Sequence, residues 1–547
     1  MKTRAVLPVI FSCFLFCVIA NCAVNSGAGL QRHGSASGNE ILIKGLEYSA
    51  VTDNYRTYYE IFVGAFSDSN NDGIGDIRGL INRLDYLNDG LPDSGRSLGI
   101  EGIWLMPIMR SPSYHKYDVI DYYSIDPRYG VMEDFDELLA ECEKRGIRLI
   151  IDLVLNHTSS QNQWFLNAKS AVRAGDFDDP YAKYYVLEPE RIAGRTWYPF
   201  EKTPDGRQYY YEGNFSSQMP ELDFDNPDVR REIIDIVRFW LEKGIGGFRL
   251  DAVKYVYFGE DKRNIDFFNW FASECHRIKE DVYIVAENWS GIVSIQDYYE
   301  AVNCFDFGMS GTSGDVYFAV QGFSSVTEFA QRLTDYQRRV LEKNPGAVLN
   351  PFISNHDMDR AAGFLSVDDY LMHTAANLYI LSSGSPFIYY GEEIGMKGSR
   401  GSANTDANRR LAMLWGDNDT VKNPAGSTYS SANQTNGTVK EQAAREDSLL
   451  MHYKKLIRLR NNNPEIARGI VIPLDFSQYD TFGGFISDYN GSRAAVFHNT
   501  ASNEVKADLS LYSDITFTSV RGFAGKGSAS LNGSILTLSG YTSVVLK

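Results

Sequence analysis

Cysteine is scarce in this chain. The six residues Cys13, Cys17, Cys22, Cys142, Cys275 and Cys304 form no C-x-x-C pair and have no histidine at metal-ligand spacing, which excludes a disulfide framework and a zinc site. Basic charge is short as well: 53 Lys and Arg face 70 Asp and Glu, for a net charge of −17. Gripping a phosphate backbone takes clustered Lys and Arg, so nucleic acid is excluded as a partner and a neutral substrate is favoured. What is plentiful is core-forming material, with 44% hydrophobic residues, 34 Tyr and 31 Phe. That excludes disorder for most of the chain, and 547 residues predict two or three domains.

Three of the six cysteines fall in the first 22 residues, where Lys2 and Arg4 precede an apolar run from Ala5 to Ala20. Sixteen residues are too few to span a bilayer, and with cations only on the N-terminal side the run reads as an export signal. Ile19-Ala20-Asn21-Cys22 resembles a bacterial lipobox, with Asn21 where Gly or Ala is usual. This resemblance implies a signal peptide over 1–21, a lipid anchor on Cys22 and a Ser/Gly-rich tether over 22–40. The protein would then be held on the cell envelope, in the periplasm or at the cell surface.

From there on, short apolar runs alternate with helical patterns. Tyr59 to Val63, Gly102 to Met106, Ile147 to Val154, Gly247 to Leu250, Val282 to Ala286, Phe305 to Phe307, Leu349 to Ile353 and Pro386 to Tyr390 are eight candidate buried strands. Helical patterns such as Met132 to Lys144 and Val229 to Lys243 lie between them, which predicts a (β/α)8 TIM barrel over 41–465. A stretch over 159–220 predicts an inserted subdomain after the third strand. Beyond a helix from about Asp447 to Arg460, the pattern changes to period two, as in Val505-Ala507-Leu509-Leu511 and Ile515-Phe517, and predicts a C-terminal antiparallel β-sandwich over 466–547.

In a barrel enzyme the chemistry sits at strand C-termini, and several apolar strands here end in charge. Asp152 closes the third, Arg249 and Asp251 the fourth, Glu287 the fifth, and Asn355-His356-Asp357 follows the seventh. Arg249 and Asp251, two apart on a strand, share a face, so the guanidinium would keep Asp251 ionised for nucleophilic attack. Glu287, after an apolar run and before Trp289, would keep its proton for general acid work. Two carboxyls divided in this way are the apparatus of glycoside hydrolysis.

Five segments carry a family resemblance: Asp152 to His157, Gly247 to Lys254, Ala286 to Trp289, Phe352 to Asp357 and Gly384 to Glu393. From about residue 55 onward the chain resembles the α-amylase superfamily of retaining glycoside hydrolases, glycoside hydrolase family 13. The resemblance implies Asp251 as nucleophile, Glu287 as acid/base and Asp357 as the third carboxylate. Tyr117, Asp118, His157, Arg249, Lys254, His356 and Arg360 are implied to bind substrate, with the rings between Trp164 and Tyr211 stacking glucose over the cleft. Lys254-Tyr255 departs from the Lys-His of many relatives, and His115-Lys116-Tyr117 departs from their His-Gly-Tyr, altering the cleft wall. Arg409 to Trp415, inside the Gly/Ser/Asn/Thr-rich stretch Ser399 to Gln442, resembles a family segment that reaches the sugar.

Asp68, Asn70, Asp72 and Asp76 stand at alternate positions around Gly73, a pattern that wraps oxygen ligands about a hard cation. It resembles the calcium loop of several α-amylase relatives, which implies a structural Ca2+ held by those side chains and the Ile74 carbonyl. Met219-Pro220-Glu221-Leu222-Asp223 resembles the form found in enzymes intermediate between oligo-1,6-glucosidases and neopullulanases. The expected activity is that of a monomeric α-amylase cutting α-1,4 bonds of starch or maltooligosaccharides. The alternatives are an exo-acting α-glucosidase or oligo-1,6-glucosidase and, more remotely, a non-catalytic starch-binding or transporter-associated relative.

Overall fold

A computed structural model describes residues 51–547 except 52, 92–93, 404 and 513–514. The expected signal, Cys22 and tether lie outside these residues. Among the described residues no helix is long and apolar enough to cross a membrane.

Eight parallel strands form one sheet: β1 (Tyr58–Ile61), β2 (Gly102–Leu105), β3 (Arg148–Leu153), β4 (Gly247–Leu250), β5 (Tyr283–Ala286), β6 (Asn303–Asp306), β7 (Asn350–Pro351) and β8 (Phe387–Tyr389). They pair in sequence order and β8 returns to β1. Between β7 and β8 the Ser385 amide donates to the Leu349 carbonyl at 2.7 Å, so the sheet closes into a (β/α)8 barrel. Because both faces are buried, the strands read as unbroken apolar runs rather than alternating ones. Tyr58, Trp104, Ile150, Tyr283, Phe305 and Phe387 fill the interior, with Tyr58 stacked on Phe387 at 4.7 Å and on Tyr283 at 5.3 Å. Rings this large fit only where a neighbouring strand has no side chain. A Cβ on Gly102 would lie 2.4 Å from the Tyr58 ring.

The outer helices follow their sequence signals. Pro227–Lys243 starts two residues before the expected Val229, because Asn226 caps the Asp228 amide and Pro227 takes the first turn; Gly244, at φ 112°, ends it. Its buried stripe includes Ile233, Ile236, Val237 and Trp240. Trp240 alone, fully buried, is a ring whose loss costs about 3–5 kcal/mol. Met132–Lys144 forms as expected.

Between β3 and β4 the chain builds a helix, Gln163–Ala174, and a three-stranded antiparallel sheet of Leu187–Glu188, Gln208–Glu212 and Trp197–Lys202. At the other end, Ile470–Pro473, Phe482–Tyr489, Ser492–Asn499, Thr542–Leu546 and Val520–Gly525 make a five-stranded sheet, faced by a three-stranded one of Val505–Asp508, Ile535–Leu538 and Ala529–Asn532. Adjacent residues of the larger sheet point into two different cores. Ile486, Phe497 and Val544 fill the sandwich, while Phe485, Val496 and Val545 join the barrel-side core. The period-two expectation fails past Asp508, whose side chain accepts from the Ser510 amide and turns Leu509–Leu511 into a short 3-10 helix with Leu511 exposed. Phe517 is likewise in no strand.

Candidate active site

At the C-terminal ends of the barrel strands lies a trough of about 480 Å3 lined by Tyr117, His157, Asp251, Lys254, Glu287 and Asp357 among others. Six of the ten residues expected at the catalytic and substrate site therefore face one cavity. Asp251 and Glu287 follow β4 and β5 directly, so the register of two paired strands sets them side by side. The chain kinks at once after Asp251: Ala252 adopts the left-handed conformation at φ 49°, a costly one for a residue with a Cβ. The kink aims the Ala252 amide at Glu287 Oε2, 3.1 Å away, while the Val253 amide bonds the Glu287 carbonyl at 3.2 Å.

Beneath the trough one buried guanidinium serves three carboxylates. Arg249 Nη1 donates to Asp251 Oδ1 at 2.7 Å and to Asp152 at 2.9 Å, and Nη2 lies 3.1 Å from Glu287 Oε2. One positive charge does not offset three negative ones out of water, so these carboxyls hold their protons to higher pH than free ones. Burial pushes the Asp152 carboxyl up to about 7, and it raises Asp251 and Glu287 too. These two differ in what pulls them back. Both feel the charge of Arg249, but Asp251 also accepts a hydrogen bond from it, whereas Glu287 accepts one from the Ala252 amide and is raised further by Asp251. The guanidinium expected to hold Asp251 ionised is thus shared: it pulls down Asp251 and Glu287 alike, against the burial that raises both.

Asp357 is in the opposite situation. His356 Nε2 lies 3.0 Å from its Oδ2, and Arg410 Nη2 donates to its Oδ1 at 2.6 Å. Burial would raise this carboxyl, but the two cations outweigh it and hold it far below the usual range. Burial would likewise lower His356, yet Asp357 and Glu60, the latter 2.5 Å from Nδ1, push it up to about 9. As an imidazolium, His356 donates from both nitrogens. Tyr117 Oη lies 2.7 Å from its Nε2 and donates in turn to Asp152 at 3.2 Å, which fixes the ring that stacks on His356.

Four expected substrate ligands stand behind the wall of the trough. Arg249 and His356, both fully buried, act through the carboxylates they hold. Asp118 is buried and accepts from the Ser111 and Ser113 hydroxyls. Arg360 donates to the carbonyls of Tyr390 and Arg409 and lies over the Tyr389 ring at 4.2 Å, so it braces β8. His157 does line the trough, but its nitrogens are already engaged. Nε2 faces the Tyr117 carbonyl, which only accepts, and Nδ1 faces the Asn156 amide, so the ring orients Tyr117.

His115, absent from the expected site, is better placed as a donor. Its Nδ1 accepts from the Tyr117 amide at 3.1 Å, which leaves the proton on Nε2 in a residue lining the trough. Burial and the charge of Arg410 lower it to about 4, so it is neutral. Lys116 does not alter the wall. It takes φ 66° and turns its side chain inward onto Asp126, 2.9 Å away. Tyr255 lines the wall with Phe215, the rings 4.9 Å apart, while Lys254 Nζ donates to the Trp289 carbonyl at 2.5 Å. The rings from Trp164 to Tyr211 do not line the trough; Phe165 packs on Tyr185, Phe200 and Tyr211 as the core of the inserted subdomain. Glu60 was also missed, although a charged residue inside the apolar strand Tyr58–Ile61 was the signal for it.

The Asp68 to Asp76 loop offers only oxygen donors, and among the described residues no Lys or Arg forms an ion pair with Asp68, Asp72 or Asp76. No three acidic, His or Cys side chains among the described residues converge as a metal cluster, so ligation here needs Asn70 and the Ile74 carbonyl as well. Asp68 accepts from the amides of Asn70, Asn71 and Gly73 and from the Thr420 hydroxyl, the full capacity of a carboxylate. A bound cation must displace one of these, and the hydroxyl is the only side-chain donor among them.

Residues 60–469 match the family model "Alpha amylase, catalytic domain". Alpha-amylase 3 of Dictyoglomus thermophilum is 38% identical over 420 residues, covering 75% of this chain and 78% of that protein. The oligo-1,6-glucosidase of Parageobacillus thermoglucosidasius is 30% identical over 493 residues, covering 75% and 84%. Among solved structures, Eubacterium rectale Amy13B superposes with a TM-score of 0.83 at 33% identity, over 91% of this chain and 96% of that one. With the carboxylate trio at its strand ends, the chain belongs to the α-amylase family, glycoside hydrolase family 13.

Proposed function

We propose that the protein is a retaining α-amylase that cleaves α-1,4 bonds in starch or maltooligosaccharides. The observation that carries this is the trough itself: at Trp289 and Asp357 it runs on into a second cavity, giving room for a chain rather than a single terminal glucose. The greater identity to Alpha-amylase 3 than to the oligo-1,6-glucosidase, 38% against 30%, supports the same reading.

In this reading a glucosyl ring lies on Tyr117, with Asp357 and the His115 Nε2 hydrogen meeting its hydroxyls. Asp251 attacks the anomeric carbon as Glu287 gives its proton to the leaving oxygen. Water, deprotonated by Glu287, then releases the sugar from Asp251. Contact of both carboxyls with one guanidinium favours the short spacing of about 5–5.5 Å that retaining enzymes use. Product profiles on amylose, pullulan and isomaltose test it. A ladder of maltooligosaccharides from amylose is expected, abolished in Glu287→Gln; glucose alone would make the enzyme an exo-acting glucosidase.

A structural Ca2+ held by Asp68, Asn70, Asp72, Asp76 and the Ile74 carbonyl belongs to the proposal. It would neutralise a loop with three carboxylates and no ion-paired cation among the described residues. Chelation should lower Tm by several degrees, restored by added calcium. An unchanged Tm would remove the ion from this reading.

A further inference from the structure

On the flank of the barrel a smaller cavity of about 180 Å3 lies between the helices Ile292–Tyr298 and Val326–Lys343 and the end of β6. It shares no lining residue with the trough or with the second cavity beyond Trp289. A cavity of about 150 Å3 takes up a benzene-sized guest, so a small molecule fits here. Helix periodicity builds the walls. Gln296 follows Ile292 by four residues on one helix, while Arg332, Tyr336 and Arg339 are spaced by four and three on the other, so each set shares a face.

The lining is charged, and most of its charge is matched within the protein. Arg332 Nε lies 2.6 Å from Asp315 and its Nη2 donates to the Ser324 hydroxyl at 2.9 Å, while Asp335 lies 3.6 Å from Arg338. Two opposite charges are left over. Asp306, 3% exposed, accepts the Gly308 amide at 3.0 Å but forms no ion pair among the described residues, and burial together with the charge of Asp315 pushes its carboxyl up to about 7. Arg339, exposed on the helix, likewise forms no ion pair among the described residues. Near Asp306, the buried Tyr336 hydroxyl has no hydrogen-bond partner among the described residues.

The unmatched groups select the ligand. A buried hydroxyl without a partner beside a buried carboxyl without a cation is costly, and an ammonium group relieves both. Its three N–H donors find acceptors in Asp306, the Tyr336 oxygen and the amide oxygen of buried Gln296. Ile292, Met309, Phe329 and Leu333 offer apolar surface to an aliphatic chain, and the Arg339 guanidinium suits a carboxylate. A phosphate would meet Asp306, a sugar would leave both charges unmatched, and no three acidic, His or Cys side chains among the described residues converge to hold a metal ion. We propose that this cavity binds a small zwitterion of the amino-acid class, with its ammonium on Asp306 and Tyr336, its aliphatic side chain on Phe329 and Leu333, and its carboxylate on Arg339. The inference stands whatever the trough cleaves.

Calorimetry of the full chain tests it with three probes: leucine, isopentylamine, which lacks the carboxylate, and isocaproate, which lacks the ammonium. Leucine should bind the wild type about tenfold more tightly than either partial ligand. Arg339→Ala, a change at an exposed position, should weaken leucine about tenfold and leave isopentylamine as it was, whereas Asp306→Asn should weaken both. If Asp306→Asn does not fold, Arg339→Ala decides alone. No binding of leucine at about 10 mM, or equal affinity for leucine and isopentylamine, overturns the inference. So does leucine binding that neither substitution weakens, which would put the ligand on the carboxylates of the trough.

Discussion

Two charge clusters meet in the trough with different stoichiometry. Around Arg249 one cation serves three carboxylates, Asp152, Asp251 and Glu287; around Asp357 two cations, His356 and Arg410, serve two, Asp357 itself and Glu60 on the far side of His356. In the first arrangement burial raises all three carboxyls against the pull of a single guanidinium, which favours holding a proton for an acid/base step. The second leaves a permanent anion, suited to holding hydroxyls and stabilising positive charge but not to giving up a proton. The ratio of cations to carboxylates, more than burial, separates the roles.

Removing a cation from each side tests that ratio. Arg249→Met leaves three buried carboxyls with no cation paired to them and only the charge of His356 nearby. Activity on maltoheptaose should fall by at least about a thousandfold, with roughly 3–5 kcal/mol lost from folding stability in urea titrations. Arg410→Met leaves Asp357 with His356 and should cost less on both counts, about 10–100-fold in kcat/KM. Equal losses in the two variants would break the comparison.

A smaller effect is expected from pH. His356 has a folded pKa near 9, above its ordinary 6.5, so its contribution is fully present below about 6.5 and is lost as pH rises to 9. At most about 3 kcal/mol is at stake across that window. Melting temperatures measured from pH 6.5 to 9 should therefore fall more steeply in the wild type than in His356→Gln. Parallel slopes would mean that His356 is neutral and that Asp357 has only one cation.

Much of this was legible in the sequence, and the remainder was hidden for identifiable reasons. The eight strands stood out because doubly buried strands leave unbroken apolar runs, and Asp251, Glu287 and Asp357 stood out because each follows such a run. The sharing of Arg249 was invisible, since it depends on Asp152 and Glu287 arriving from β3 and β5. Arg360 was misplaced because the resemblance that put it at the substrate does not say which side of a loop a side chain takes. The aromatic-rich insert misled in the same way: composition revealed the rings but not that Phe165 would gather them into a core. Arg410 was foreshadowed by its segment, but its grip on Asp357 spans 53 positions.

The larger C-terminal sheet has a bearing on how the molecule comes apart. Since Phe485 and Ile486 belong to different cores, a protease cutting near Gly469 would not free two intact bodies. The catalytic part would be left with the surface that Phe485, Val496 and Val545 now cover, a sticky patch that favours aggregation over survival as a trimmed enzyme.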